Sequence, residues 1–196
     1  TSRRQPQMCI RDRNSIDPSL LQYEGRNYLV WGSFRGIYVI ELTADGLSIM
    51  PGAKKKRIAG TAFEAVYIHK HDDYYYMFAS IGSCCQGVKS TYKVVVGRSK
   101  KVWGPYKDKT GKPMLKNGYS LVIGANDHFV GNGHGSQIIQ DDAGQDWLLY
   151  HGFSRSTPEN GRILLLDQIK WDQEGWPYVE GGSPSYETQK APVFNN

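Results

Sequence analysis

Long apolar runs, helical periodicity and spaced cysteines are all missing from this chain of 196 residues. No stretch of about 18 apolar residues occurs, the length that a bilayer-spanning helix needs. No charged start followed by an apolar core and a small-residue cleavage site reads as a signal peptide. Apolar residues do not recur at i, i+3, i+4 and i+7 over any useful length, which excludes helical bundles and alternating α/β folds. The three Cys contain no CxxC pair for zinc. Two of them, Cys84 and Cys85, are adjacent, and neighbours bridge each other only with strain, so the expectation is two small buried thiols in a turn.

An excess of one charge is also scarce once the start of the chain is set apart. Residues 1–13, TSRRQPQMCIRDR, have no period and no apolar face, and they hold four Arg against Asp12. They resemble translated adapter sequence, and the expectation is a non-native tail with the true upstream chain missing. Setting them aside takes the balance from 24 basic and 19 acidic residues to 20 and 18. So small a surplus argues against nucleic acid or an anionic membrane as partner.

What is present is aromatic and rich in turns. Aromatic residues make up 12% of the chain, with 22 Gly and 9 Pro, which suits an all-β protein. From Asn14 onward, β-branched and aromatic runs alternate with Gly/Asp turns in three passes. The first is NSIDPSLLQYEG, NYLVWGSF, GIYVIELTADG and LSIMPG. The second is FEAVYIHKHDD, YYYMFASIG, STYKVVVGRSK and KPMLKNG, with an insertion ahead of the last. The third is HGSQIIQDDAG, WLLYHGFS, GRILLLDQIKWDQEG and WPYVEGG. Each reads as an antiparallel meander of four short strands. Units of this size are propeller blades, and a propeller closes with about 4 to 8 of them. Three do not close a ring, so the expectation is the C-terminal part of a larger β-propeller.

Each pass opens on one chemically loaded side chain: Asp17, Glu64 and His134, 47 and 70 residues apart. The innermost strand of a blade comes first, so equivalent positions in three openings converge on the axis. Taken alone, Asp17 caps a turn before Pro18, Glu64 pairs with a surface Lys, and His134 is a hydrogen-bonded core histidine. Taken together, two carboxyl groups and an imidazole in an aromatic-lined cavity suit glycoside cleavage, where one carboxylic acid protonates the leaving oxygen. Gly133 and Gly135 flank His134 and let the backbone approach another group closely. His134 could equally be the imidazole ligand of a cation whose remaining positions are filled by oxygens.

Other polar and aromatic residues read as structural. His69 and His71 bracket Lys70 in what looks like a solvated polar turn. His128 lies in the loop ahead of the third pass and His151 in its second strand. Asp167, alone in LLLDQI, is expected to be hydrogen-bonded. Trp31, Phe34, Tyr150 and Phe153 either line a cavity or fill space between sheets, with at least one platform for a sugar among them.

NSIDPSL with YLVWGSFRGIYVIEL, FEAVYIHK, the run GSCCQG through STYKVVVGRS to WGPYKDKTG, and GNGHGSQI resemble glycoside hydrolase family 43, most of all its endo-1,5-α-L-arabinanases. The resemblance spans about residues 14–194. It implies a five-bladed β-propeller of which residues 14–196 are a partial catalytic domain, and inverting hydrolysis of an arabinose-containing plant polysaccharide outside the cytoplasm or in the periplasm. It implies Glu64 as general acid, Asp17 as the pKa modulator that also orients substrate, His134 as ligand of one central cation, calcium, and Ser33 and Phe34 as substrate contacts. The family's general base is an Asp in the first blade. No strand precedes Asn14 to carry it, and Asp12 between Arg11 and Arg13 is not assigned the role, so an inactive fragment is expected. An exo-acting α-L-arabinofuranosidase or β-xylosidase of the same family, and a non-catalytic carbohydrate-binding propeller, are the alternatives.

Overall fold

Period-two alternation is the dominant pattern of the chain, and strands are what it forms. A computed structural model describes residues 14–195. Residues 1–13, including the expected tail, Cys9 and Asp12, lie outside the described residues.

Three antiparallel sheets follow one another along the chain. The first consists of β1 (Ser19–Tyr23), β2 (Arg26–Trp31), β3 (Ile37–Glu41) and β4 (Lys56–Ala59), in that order. The second repeats the meander with β5 (Glu64–His71), β6 (Tyr74–Ile81), β7 (Lys93–Ser99) and β8 (Ser120–Ile123). In the third, β9 (Phe129–Gly133) and β10 (Ile139–Gln140) both pair with β11 (Asp146–Ser154), followed by β12 (Arg162–Trp171) and β13 (Pro177–Tyr178). All described elements are strands or short 3-10 turns.

The second sheet is buried on both faces, and its alternation shows how. Met77, Ala79 and Val95 turn to one side and pack with Val30, Ile37, Val39 and Ile58 of the first sheet. Tyr76, Phe78, Val94 and Val96 turn to the other side and meet Leu148, Tyr150 and Ile169 of the third. Successive side chains of a strand point to opposite faces, so β6 and β7 serve both cores at once. Each fully buried side chain of this size contributes about 1.5–3 kcal/mol of transfer free energy, which fixes the sheets face to face. Tyr106 and Met114, both fully buried, come from the long β7–β8 connection and seal the first core.

Several boundaries differ from expectation. LSIMPG makes a turn with a single bridge between Leu42 and Ile49, and the fourth strand of the first sheet is the later KRIA segment. KPMLKNG likewise holds a 3-10 turn, Met114–Lys116, while SLVI, outside the second pass as read from the sequence, is the fourth strand β8. In the third unit His134 does not begin a strand. It follows β9 directly, between two short strands that share the same partner. His69 and His71 lie within β5 and not in a turn, since the alternation that buries Val66 and Ile68 runs on to His71.

Cys84 and Cys85 are joined to each other as a disulfide, with Cα atoms 3.8 Å apart, in a half-exposed loop after β6. The expectation of buried thiols is corrected there. The loop lies between Gly82 (φ 90°) and Gly87 (φ 57°), two left-handed positions that supply the backbone freedom for so tight a turn.

Candidate active site

The three openings meet. Ligand-capable atoms of Asp17, Glu64 and His134 all lie within 4.8 Å of one another, although each residue belongs to a different sheet. Asp17 stands two residues ahead of β1, Glu64 is the first residue of β5, and His134 follows β9.

A shared backbone device turns them inward. Asp17 (φ 54°), Ala65 (φ 50°) and His134 (φ 53°) are left-handed residues other than glycine, one per opening. Such conformations cost about 1–3 kcal/mol each and persist only where the surroundings over-determine them. Here the bonds run from sheet to sheet. The Ala65 N–H donates to Asp17 Oδ2 at 3.0 Å, and the His134 N–H donates to Ser80 Oγ at 2.8 Å. After Glu64 pairs with Ser80, a bulge interrupts the ladder until Tyr67, a break that re-aims side chains at the end of a sheet.

Glu64 is 9% exposed, and both of its carboxyl oxygens are engaged. Ser33 Oγ donates to Oε2 at 2.7 Å and Tyr92 OH donates to Oε1 at 2.5 Å. Burial, followed by the bond to Glu64, pushes the Tyr92 phenol far above its usual value, so it remains a donor throughout the accessible pH range. The same hydroxyl stands 3.5 Å from His134 Nδ1, and His134 Nε2 stands 3.9 Å from Asp17 Oδ1. A cavity of about 280 Å³ opens beside these groups, lined by Asp17, Pro18, Tyr67, His134, Ser136 and Gln137 among others.

Ser33 therefore reaches Glu64 directly. Its own N–H is held by Asn14 Oδ1 at 2.9 Å. Phe34 is 44% exposed and left-handed, and its N–H bonds to the Phe63 carbonyl at 2.9 Å, which sets it beside the residue preceding Glu64. The remaining aromatics pack. Trp31, Tyr150 and Phe153 are 4%, 1% and 6% exposed. Asp167 accepts from Tyr150 OH and the Ser185 N–H, as expected of a lone buried carboxylate. His128 stacks on Tyr186 at 3.6 Å.

Two site residues escaped the reading of the sequence. Tyr92 looked like one more aromatic in STYKVVV. His151 stacks 5.8 Å from Tyr92 and 6.2 Å from His134, and its Nδ1 is buried without a hydrogen-bond partner among the described residues. Burial, with Arg162 and His134 nearby, pushes its pKa down to about 4, so the ring is neutral at neutral pH. The signal for His151 was register: it pairs with Gly133 across β9 and β11, one residue from His134.

The family profile described as glycosyl hydrolases family 43 matches residues 4–177. The chain belongs to glycosyl hydrolases family 43. It is 39% identical over 184 residues to the extracellular exo-α-(1→5)-L-arabinofuranosidase ArbA of Cellvibrio japonicus, covering 85% of this chain and 52% of that protein. It is 37% identical over 172 residues to the extracellular endo-α-(1→5)-L-arabinanase 1 of Bacillus subtilis, covering 84% and 50%. Among solved structures, the Cellvibrio cellulosa α-L-arabinanase complexed with arabinohexaose superimposes with a TM-score of 0.80 at 36% identity, covering 88% of this chain and 60% of that one. A family 43 endo-arabinanase from Bacillus licheniformis gives 0.75 at 36% identity, covering 85% and 57%. The chain thus spans about half the length of the curated relatives it matches.

Proposed function

We propose that the protein hydrolyses α-1,5-linked arabinan by inverting acid/base catalysis, outside the cytoplasm, on a five-bladed propeller of which the three sheets are blades. The observation that carries this reading is the setting of Glu64, buried, oriented by two hydroxyls and grouped with Asp17 and His134, which line the adjoining cavity. A carboxyl group so held suits a general acid. When protonated, it donates its hydrogen to the departing glycosidic oxygen, while Ser33 and Tyr92 steady the carboxylate left behind.

Asp17 is too close to Glu64 to be the base of an inverting pair. Such a pair stands about 6.5–9.5 Å apart to leave room for a water, whereas these two groups lie within 4.8 Å. Its part is to orient the acid and the substrate, its Oδ2 being tied to the Ala65 N–H beside Glu64. The base is then a third carboxylate, apart from Asp17 and Glu64. An imidazole with a carboxylate beside it fits a divalent cation. His134, with Asp17 beside it, would hold calcium whose other positions are taken by water, and the ion would supply positive charge next to the substrate.

Linear α-1,5-arabinan is the test substrate, given to the complete protein that carries this chain. Release of arabinose or arabino-oligosaccharides supports the proposal. Oligosaccharides of mixed length indicate internal cleavage, and arabinose alone indicates cleavage from an end, the two activities that the relatives' names record. Binding of arabinan without any hydrolysis would replace the enzyme with a carbohydrate-binding propeller.

A further inference from the structure

A second group of metal-capable side chains lies at the opposite end of β5. His69 and His71 alternate with Ile68 and Lys70, so both imidazoles share the face of β5 turned toward the third sheet. There they meet Asp146, the first residue of β11, and ligand-capable atoms of the three lie within 4.8 Å of one another. We propose that His69, His71 and Asp146 form a binding site for a divalent cation of the zinc class, bridging the second and third sheets.

The donor set selects the ion. Two imidazoles with one carboxylate suit zinc, nickel or copper, whereas calcium and magnesium take oxygen ligands almost throughout. Asp146 is 5% exposed, and a buried carboxylate among imidazoles needs a compensating positive charge or strong donors. His71 Nδ1 stands 3.9 Å from Asp146 Oδ2, beyond hydrogen-bond reach. Ligands on one zinc, at bonds of about 2.0–2.2 Å in tetrahedral geometry, stand roughly 3.3–3.6 Å apart, a change that small side-chain rotations supply.

The surroundings orient each ligand. Trp171 Nε1 donates to Asp146 Oδ2 at 2.7 Å and Gln140 Nε2 donates to Oδ1 at 3.2 Å, which leaves a lone pair on each oxygen. The His71 ring stacks on Trp171 at 3.7 Å with planes 5° apart, so its direction is set. Its other nitrogen, Nε2, lies 3.6 Å from Asp72 Oδ2.

The site is separate from the candidate active site by roughly 16–23 Å of strand, at about 3.3 Å per residue from Glu64 to His69 and His71. It does not depend on the hydrolase reading. An ion there ties β5 to β11 and stabilises the packed sheets by an amount that rises with the logarithm of the free ion concentration above its dissociation constant.

The test is titration of metal-free protein with Zn²⁺ by calorimetry and with Co²⁺ by visible absorption, both in excess Ca²⁺. One equivalent is expected, with cobalt d–d bands and a rise in melting temperature. A His69→Gln, His71→Gln double variant is expected to bind at least 100-fold more weakly and to lose the thermal shift, while His134→Gln binds like the parent. Absence of one-to-one binding overturns the site, as does binding that survives the double variant or disappears with His134→Gln. Should the double variant fail to fold, protection of His69 and His71 from diethyl pyrocarbonate by Zn²⁺ in the unaltered protein, read by mass spectrometry, decides. No protection overturns the proposal.

Discussion

Tyr92 donates its phenolic hydrogen to Glu64 Oε1 at 2.5 Å, and the ring that carries this hydroxyl packs against Gly133. A Cβ at Gly133 would stand 2.3 Å from Tyr92 Cδ1. The glycine ahead of His134 is therefore required by the second sheet's tyrosine more than by any ligand. The hydroxyl that positions the proposed acid is set from the residue just ahead of β7 in one sheet and pressed into place by another.

Gly133→Ala is expected to displace Tyr92 and with it the carboxyl of Glu64. Misplacement of a catalytic group by about 1 Å can cost 10²-fold in rate, and overpacking costs about 1–3 kcal/mol of stability. Tyr92→Phe leaves the ring in place and removes the hydroxyl. It is expected to lower kcat on arabinan while KM changes little, since the lost bond acts on the acid and not on the sugar. A Tyr92→Phe enzyme with unaltered kcat would contradict this positioning role.

Glu64→Gln preserves the shape of the side chain and removes the transferable proton. Loss of a general acid commonly costs about 10²–10⁴-fold, so kcat on arabinan should fall by that range while circular dichroism stays that of the parent. An aryl arabinofuranoside, whose leaving group needs no protonation, should be affected much less. Equal losses on both substrates would count against Glu64 as the acid.

Proposed calcium at His134 predicts loss of activity on chelation and recovery with Ca²⁺. His134→Ala should start from low activity and respond to neither. The stereochemistry of the product belongs with this test: proton NMR of freshly released sugar should show the anomer opposite to that of the substrate. Retention would make the carboxylate pair Asp17 and Glu64 itself the catalytic couple, because retaining pairs stand only about 5–5.5 Å apart.

Acid should weaken the fold through His151. Its folded-state pKa, about 4, lies below the ordinary 6.5. The unfolded chain therefore binds a proton first, and the stability that the neutral ring contributes is complete above pH 6.5 and lost as pH falls toward 4. Burial is the first cause, with Arg162 and His134 adding positive charge and Glu64 opposing. Melting temperature should decline across that window, and His151→Asn should flatten the decline. A slope unchanged by this substitution would remove His151 as its source.

The sheets were readable because alternation and Gly/Asp turns are strong signals in YYYMFASI, KVVVGRS and WLLYHGFS, and the three openings gave a common geometry to Asp17, Glu64 and His134. The fourth strands were misplaced for a physical reason. Lys56–Ala59 begins with two basic residues behind a run of Lys, and Ser120–Ile123 is short and bounded by glycines, so neither shows a period of its own. Their pairing with β3 and β7 is supplied by tertiary contact. Tyr92 was hidden as a site residue, and the bond from Ser33, expected as a substrate contact, to Glu64 was not foreseen, because a hydroxyl aimed at a carboxylate depends on register across sheets. His69 and His71 looked solvated because Lys70 and Asp72 surround them in sequence, whereas only alternate residues share their face.

The left-handed residues Asp17, Ala65 and His134 give the site an unusual sensitivity. No single sheet owns it, and each strained opening is clasped by a hydrogen bond from or to a neighbour. A small rotation of one sheet against the next would open these clasps long before any strand frays. Turnover in this protein would then act as a gauge of sheet alignment, failing on mild warming or dilute denaturant while the backbone spectrum remains that of the folded state.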